Sequence, residues 1–148
     1  MNATTDDRTL MVERQLAAPP DKVFDAWTKP ELLVQWWGPE GMTTPDHDLD
    51  VREGGAWTTT MMNAEGGRYT CSGVYTRLER PGLLAFTWAW KDDSGERGPE
   101  TEVTVTLEAA NGGTRMKLVQ KVFETGEARD SHRKGWESSF NKLERFCA

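Results

Sequence analysis

The sequence predicts an α+β domain in which a curved antiparallel sheet of seven strands wraps around one long C-terminal helix. Three observations lead to this fold class. Apolar and small residues recur at spacings of three and four between Thr125 and Ala148, which indicates a helix. Turn sequences follow one another at hairpin spacing from residue 46 onward, which indicates six antiparallel strands. Before these strands, one further strand is followed by two short helical segments.

The first predicted strand carries one charged residue on its apolar face. Leu10, Val12 and Leu16 point to this face, and Arg14 lies among them. Gln120 occupies a similar position on the last strand, which should neighbour the first in this topology. We therefore expect Arg14 and Gln120 to pair across the sheet. The alternative is that one of them points into a cavity and orients a carboxylate or carbonyl of a ligand.

Two short helices are predicted after the first strand. The first covers Asp21 to Trp27. Thr28 and Glu31 then match a Thr-x-x-Glu capping box with a proline in the first turn, so a second helix should begin there. A Gly-Pro pair ends it directly after Trp36 and Trp37. We expect these two tryptophans to form an exposed turn, which together with an open edge strand would support a homodimer, with a monomer as the alternative.

The six later strands are separated by glycine-containing turns. Apolar and polar residues alternate clearly in the last three strands, so one face of the sheet is apolar. In the earlier runs, the residues expected to point inward are Trp57, Met61, Tyr69 and Cys71. The turns are Glu53 to Gly55, Asn63 to Gly67, Arg80 to Gly82, Asp92 to Gly95 and Asn111 to Gly113.

The long C-terminal helix has an uneven apolar face. Thr125 is its predicted N-cap. Gly135 and Ser139 lie beside Trp136 and Phe140, so part of the face that meets the sheet is hollow. A glycine within a helix costs about 1 kcal/mol relative to alanine. The hollow therefore suggests a retained space, and close packing of the helix against the sheet is the alternative.

Length and composition restrict the class of protein. A chain of 148 residues forms one domain, and we expect a disordered tail at residues 1–8 before a domain at 9–148. The formal net charge of -6, without a basic stripe, argues against binding of nucleic acid. No apolar run approaches the length of a membrane span and the first residues are polar, so a cytoplasmic protein is expected. Cys71 and Cys147 are expected to be free thiols.

Several segments together resemble the START-like superfamily, and within it the branch of homologues of the activator of the ninety-kilodalton heat-shock protein ATPase. The resemblance implies the helix-grip fold and a deep cavity for a hydrophobic or amphipathic small molecule. It also connects the chain with cyclases and hydrolases of the superfamily, and with a co-chaperone of the stress response. The segments are Glu13-Arg14, Val23 to Pro39 with its Pro-Glu and Trp-Trp-Gly-Pro sequences, Gly73 to Tyr75, Leu84 to Trp88, and His132 to Leu143.

Strong catalytic and metal-binding motifs are absent from the sequence. It contains no Gly-x-Ser-x-Gly, Walker A, dinucleotide-binding or His-Glu-x-x-His motif. Asp46, Asp48 and Asp50 imitate the start of a calcium loop, but the required glycine and bidentate glutamate are missing. His47 and His132 lie on different predicted elements, and spacing places no carboxylate to complete a metal site. We therefore expect neither a metal nor a cofactor.

A cavity between the helix and the curved sheet is the expected functional site. His132 is the main candidate for a hydrogen-bond donor or general base, and Tyr69 is the second. The alternative for His132 is a hydrogen bond to a strand carbonyl or a position at the rim of the helix. The expected ligand-binding residues are Trp37, Trp57, Met61, Tyr69, Phe86, Trp88, Met116, His132, Gly135, Trp136, Ser139 and Phe140.

The sequence thus predicts a protein that binds a small hydrophobic or amphipathic molecule. A cyclase-like or hydrolase-like enzyme is the first alternative, in which His132, Tyr69, Arg14 or an aspartate near His47 would handle protons. The second alternative is a module that contacts a chaperone through its surface. Fold alone does not decide among these functions, because sites of different chemistry occur on the same fold.

Overall fold

The structure is a computed structural model that describes residues 8–148. A seven-stranded antiparallel sheet and one long helix form its two layers. The strand order is β1-β7-β6-β5-β4-β3-β2, which confirms that the first and last strands are neighbours. Most of the predicted tail, residues 1–7, lies outside the described residues. The elements are β1 (Thr9–Leu16), α1 (Pro20–Thr28), α2 (Pro30–Leu33), β2 (Thr43–Leu49), β3 (Ala56–Met62), β4 (Arg68–Glu79), β5 (Leu83–Lys91), β6 (Thr101–Ala110), β7 (Gly113–Lys121) and α3 (Gly126–Cys147).

The long helix α3 begins and packs as its sequence predicts. Thr125 is the N-cap, and its hydroxyl accepts a hydrogen bond from the backbone N–H of Ala128 at 3.0 Å. Trp136, Phe140 and Leu143 are buried on the face that meets the sheet. Burial of these side chains supplies most of the stabilisation of a helix on a sheet. Within residues 8–148, no helix combines the length and the apolar composition needed to cross a membrane.

The segment after β1 differs from its predicted form in two ways. The hydroxyl of Thr28 donates to the carbonyl of Phe24 inside α1, so it does not cap α2, and the capping-box prediction is wrong. The predicted exposed turn is also wrong, because Trp36 and Trp37 are 0% and 3% exposed. The indole N–H of Trp36 donates to the carbonyl of Ala26 at 3.0 Å, which draws the ring into the core. This segment therefore offers no aromatic surface to a second subunit.

The predicted pairing of Arg14 with Gln120 is wrong because of the strand register. Arg14 lies opposite Met116 in the β1–β7 ladder, while Gln120 lies opposite Leu10. The Arg14 guanidinium instead reaches α3, where it donates to the Asn141 side chain at 2.9 Å. It also donates to a backbone carbonyl of the same helix. Arg14 therefore fastens the first strand to the helix rather than to its neighbouring strand.

Val122 connects β7 to α3 in a strained conformation. Its φ is +74°, a left-handed value that is unusual for a β-branched residue. The side chain is 53% exposed, while the following Phe123 is 2% exposed. The turn at Val122 thus directs Phe123 into the core at a cost of about 1–3 kcal/mol in backbone strain. Asn111, at the β6–β7 turn, has a φ of +52° and is a residue type that tolerates this region.

We expect Val122→Asn to raise the free energy of unfolding by about 1 kcal/mol, because asparagine adopts positive φ at lower cost and little packing is lost. The reciprocal change Asn111→Val should lower it by a similar amount. Chemical denaturation of both variants and the wild type measures the two effects. A Val122→Asn protein that is less stable than the wild type would contradict the assignment of strain.

Candidate functional site

A cavity of about 340 Å³ lies between α3, the strands β3 to β5 and the loop that follows α2. Four tryptophans and two methionines contribute to its wall, so most of the surface offered to a ligand is apolar. The residues that line it are Trp37, Gly38, Pro39, Met42, Met61, Asn63, Tyr69, Trp88, Trp90, Ser131, His132, Gly135, Trp136 and Ser139.

Trp88 stands at the centre of the aromatic wall. Its ring centroid lies 5.4 Å from that of Trp136, 5.5 Å from those of Trp37 and Trp90, and 5.7 Å from that of His132. Most of these pairs are edge-to-face, an arrangement that aromatic quadrupoles favour. The wall is therefore a packed array in which each ring restricts the orientation of its neighbours.

A buried chain of hydrogen bonds holds this array against the sheet. The Trp136 indole N–H donates to Oε1 of Gln120 at 2.8 Å, and Nε2 of Gln120 donates to the Thr101 hydroxyl at 2.7 Å. That hydroxyl donates in turn to the carbonyl of Trp88 at 3.2 Å. Gln120 is 0% exposed and both ends of its amide are paired. This explains why a polar residue occupies an apolar face of β7.

A second buried contact positions Trp37 on the opposite side. Its indole N–H donates to the Thr59 hydroxyl at 3.0 Å, and this hydroxyl lies 3.2 Å from the Cys71 sulfur. Burial raises the pKa of the Cys71 thiol to about 12. Cys71 is therefore a neutral core residue, as expected for a free thiol, and not a nucleophile. Cys147 is the other free cysteine.

His132 is held in one neutral form beside the cavity. Its Nε2 accepts a hydrogen bond from the indole N–H of Trp90 at 3.0 Å. In the neutral ring, Nδ1 then carries the proton. Burial lowers the pKa of His132 from 6.5 to about 4. At neutral pH the ring is therefore an uncharged group that presents an N–H, and its partner is an aromatic side chain and not the strand carbonyl of the alternative.

The loop after α2 is fastened to α3 along the rim of the cavity. The Lys142 ammonium donates to the backbone carbonyls of Trp37, Gly38 and Met42 at 3.4, 3.1 and 3.2 Å. The Ser139 hydroxyl donates to the carbonyl of Trp36 at 2.9 Å. Partial burial lowers the pKa of Lys142. The positive end of this side chain thus satisfies carbonyls that no strand or helix uses.

Glu40, in the same loop, adds a second set of contacts to α3. Its backbone N–H donates to the Ser138 hydroxyl at 2.9 Å. Its carboxylate accepts from Asn141 and from Arg145, each at 3.0 Å. The hydrogen bond from Asn141, followed by that from Arg145, lowers the pKa of Glu40. The loop therefore follows α3 closely, and the rim keeps its shape.

The structure brings eight of the twelve predicted ligand-binding residues to the cavity wall: Trp37, Met61, Tyr69, Trp88, His132, Gly135, Trp136 and Ser139. Tyr69 lies at the mouth, where it is 47% exposed, instead of pointing fully inward. The remaining four are buried in the core and do not line this cavity: Trp57, Phe86, Met116 and Phe140. The sequence did not indicate the loop residues Gly38, Pro39 and Met42 or the polar residues Asn63 and Ser131 of the cavity wall.

Trp57 lies deep in the core, beside strand β4. A Cβ at Gly73 would lie 2.7 Å from the Trp57 indole nitrogen and 1.8 Å from a backbone oxygen of β5. The missing side chain on β4 therefore lets the Trp57 ring settle against the sheet, below the cavity. Within residues 8–148, no three metal-binding side chains come together.

Replacing Gln120 with Leu should lower the free energy of unfolding by about 1–3 kcal/mol, because the Trp136 N–H loses its buried acceptor. Trp136→Phe should also destabilise, since it leaves Oε1 of Gln120 unpaired. The double variant should be more stable than the sum of the two losses predicts, by about 1 kcal/mol. A double-mutant cycle by chemical denaturation measures this coupling, and strictly additive losses would contradict the buried chain.

The lowered pKa of His132 predicts a pH-dependent stability. Between pH 6.5 and about 4 the unfolded chain binds a proton at this residue and the native protein does not, so acidification favours unfolding. This contribution is complete above pH 6.5 and is lost as the pH falls towards 4. His132→Gln should flatten the pH dependence of the unfolding free energy in this window. The exposed His47 provides a matched control, and an equal effect of His47→Gln would refute the prediction.

Comparison with known proteins relates this chain to a described family. Residues 17–148 match the family described as Activator of Hsp90 ATPase homolog 1-like protein. The crystal structure of the AHSA1 protein from Silicibacter pomeroyi is 38% identical, covers 93% of this chain and 95% of its own, and superposes with a TM-score of 0.87. Structures from Nitrosomonas europaea and Chromobacterium violaceum are 26% and 25% identical, with TM-scores of 0.80 and 0.83.

The coverage of these two further structures is nearly complete. The Nitrosomonas structure covers 99% of this chain and 96% of its own, and the Chromobacterium structure covers 95% and 97%. No match is found among curated proteins. Because the family match extends over most of the chain, the protein belongs to the family of Activator of Hsp90 ATPase homolog 1-like proteins, with the helix-grip fold of the START-like superfamily.

Proposed function

We propose that the protein binds a small hydrophobic or amphipathic molecule in the cavity between α3 and the sheet. The observation that carries this proposal is the cavity itself, whose volume of about 340 Å³ falls in the range of small-molecule sites. Its wall is mainly aromatic and thioether surface, with a few polar groups. Binding of an apolar ligand to such a wall is favourable, because it removes apolar surface of both from water.

Gly135 supports the proposal because it keeps part of the cavity open. A Cβ built on this residue meets no atom within 4 Å outside the local helix backbone, so the glycine does not serve close packing. A larger residue would be accommodated sterically and would favour the helix by about 1 kcal/mol. The glycine therefore carries a stability cost that no packing contact explains, and a space kept for a ligand accounts for it.

The polar groups favour binding over catalysis. A general base at this site would be His132, but its Nε2 lone pair already accepts a hydrogen bond from the Trp90 indole N–H. The remaining ring N–H can orient a ligand oxygen. A cyclase-like or hydrolase-like reaction in the same cavity is the first alternative, and a contact with a chaperone, as the family's name suggests, is the second. A cytoplasmic location and a monomeric or homodimeric state stay predictions.

Gly135→Leu should remove ligand binding without loss of stability, because the new side chain fills the cavity and the helix gains propensity. Lys134→Leu is the matched control, since it adds the same side chain at the neighbouring exposed position. Native mass spectrometry and mass spectrometry of an organic extract would compare the wild type with both variants. We expect a co-purified apolar molecule in the wild type and in Lys134→Leu only.

Three outcomes would contradict the binding proposal. A molecule retained equally by Gly135→Leu would place the ligand elsewhere on the protein. A chaperone contact that responds to charge reversal on the outer face of α3, in a wild type that purifies without any ligand, would favour the interaction module. Turnover that His132→Ala abolishes while affinity is kept would favour the enzyme.

A further inference from the structure

In the cavity wall, hydrogen-bond acceptors mostly have partners among the described residues, while some donors have none. We propose that the ligand is an uncharged aromatic molecule that carries at least one hydrogen-bond acceptor oxygen, such as an aryl ketone. This inference rests on the binding function proposed above and specifies the chemistry of the ligand. It follows from the charge of the wall, from its engaged acceptors and from its free donors.

The wall offers no partner to a charged ligand. Among the described residues that line the cavity, none is an aspartate, glutamate, lysine or arginine. Lys142, the cation beside the rim, is engaged by three backbone carbonyls. His132 is uncharged at neutral pH because burial lowers its pKa to about 4. A carboxylate or ammonium would therefore lose its hydration without gaining an ion pair, which disfavours binding strongly.

Fixed acceptors of the wall are already engaged inside the protein. Nε2 of His132 accepts from Trp90. Oδ1 of Asn63 accepts from the backbone N–H groups of Glu65 and Gly67 at 3.1 and 2.7 Å. The Lys142 ammonium takes the carbonyls of the rim loop. A ligand that mainly donates hydrogen bonds would therefore find these acceptors taken.

Two donors of the same wall have no protein partner within residues 8–148. The His132 ring has its proton on Nδ1, since Nε2 accepts. In Asn63, the backbone N–H groups of Glu65 and Gly67 both donate to Oδ1 and so fix the orientation of the amide. Its NH₂ group donates to no protein acceptor in the described part of the chain. The indole N–H of Trp88 also has no partner among these residues, but, like those of Trp27 and Trp57, it is buried and has no surface open to a ligand. An acceptor oxygen on the ligand would pair with the His132 and Asn63 donors, and such a hydrogen bond contributes about 0.5–1.5 kcal/mol.

The aromatic character of the ligand follows from the tryptophan rings and methionine side chains of the wall. Trp37, Trp88 and Trp136 present neighbouring rings at 5.4 to 5.6 Å, and aromatic ligands gain stacking and edge contacts on such surfaces. Met42 and Met61 add thioether groups, which pack favourably against ring edges. A flat, rigid ring system also loses little conformational entropy on binding.

Three naphthalenes of similar size test the inference: 2-acetylnaphthalene, 2-isopropylnaphthalene and 2-naphthoate. The first has an acceptor oxygen, the second has none, and the third adds a negative charge. Titration followed by tryptophan fluorescence gives each dissociation constant at pH 7. We expect the ketone to bind about fivefold more tightly than the hydrocarbon and at least about tenfold more tightly than the carboxylate. Equal or tighter binding of either competitor overturns the proposal.

Two variants connect the preference with the free donors. His132→Phe keeps a ring and removes a donor, and Asn63→Asp keeps the oxygen that accepts from the turn and removes the NH₂ group. Each should reduce the preference for the ketone over the hydrocarbon at least twofold, while Asn111→Asp, in a remote turn, should leave it unchanged. In ¹H–¹⁵N spectra of the wild type, the side-chain amide resonances of Asn63 should move more with the ketone than with the hydrocarbon.

The outcomes separate this inference from the broader proposal. If all three probes bind, and Gly135→Leu blocks them, but the carboxylate or hydrocarbon is preferred, the cavity binds ligands and the inferred ligand class is wrong. If a preference for the ketone persists unchanged in both donor variants, the assignment of the donors is wrong. If no probe binds, the inference fails, and the co-purification experiment decides the binding function independently.

Discussion

The hydrogen bond between Trp136 of α3 and Gln120 of β7 is the contact on which the relation of the helix to the sheet depends. Apolar burial is not directional, so it holds a helix on a sheet without fixing its position along the strands. A buried amide with both ends paired has one satisfactory arrangement. Through Thr101 the same series of hydrogen bonds reaches the backbone of Trp88. The position of α3 and the position of the aromatic wall of the cavity are therefore set together.

The cavity exists because α3 is held by hydrogen bonds at some positions and carries a small residue between them. Towards its C-terminal end, Lys142 and Asn141 tie α3 to the loop after α2 and to Arg14 of β1. In the middle, Trp136 is tied to the sheet, and Gly135 beside it leaves space that no side chain fills. The anchors hold the helix away from this space and so keep the cavity open.

The sequence predicted the elements of the fold because their signals are local. Alternation and turn spacing identified the strands, and the three-and-four spacing after Thr125 identified α3. The errors concern contacts between distant segments. The partner of Arg14 depends on register, which the pattern of one strand does not contain. The burial of Trp36 depends on a carbonyl ten residues earlier and on the core that surrounds it.

The same limit applies to the candidate site. Alternation shows which face of a strand a residue occupies, but not how deep it lies beneath the helix. Phe86 and Trp88 share a face of β5, and yet Trp88 lines the cavity while Phe86 packs in the core. Small residues carried the more useful signal. Gly135 indicated the hollow on the helix, and Gly73 could have indicated that Trp57 sinks against β4.

The polarity of the site follows from how its wall is built. An aromatic wall needs its rings held, and Trp90, Trp136 and Trp37 are each held by an indole N–H that takes an acceptor. The loop at the rim needs its carbonyls satisfied, and Lys142 does so. Construction of the cavity therefore consumes acceptors and leaves donors such as the His132 Nδ1–H. The bonds that make the wall rigid thus also determine which ligand groups it can receive.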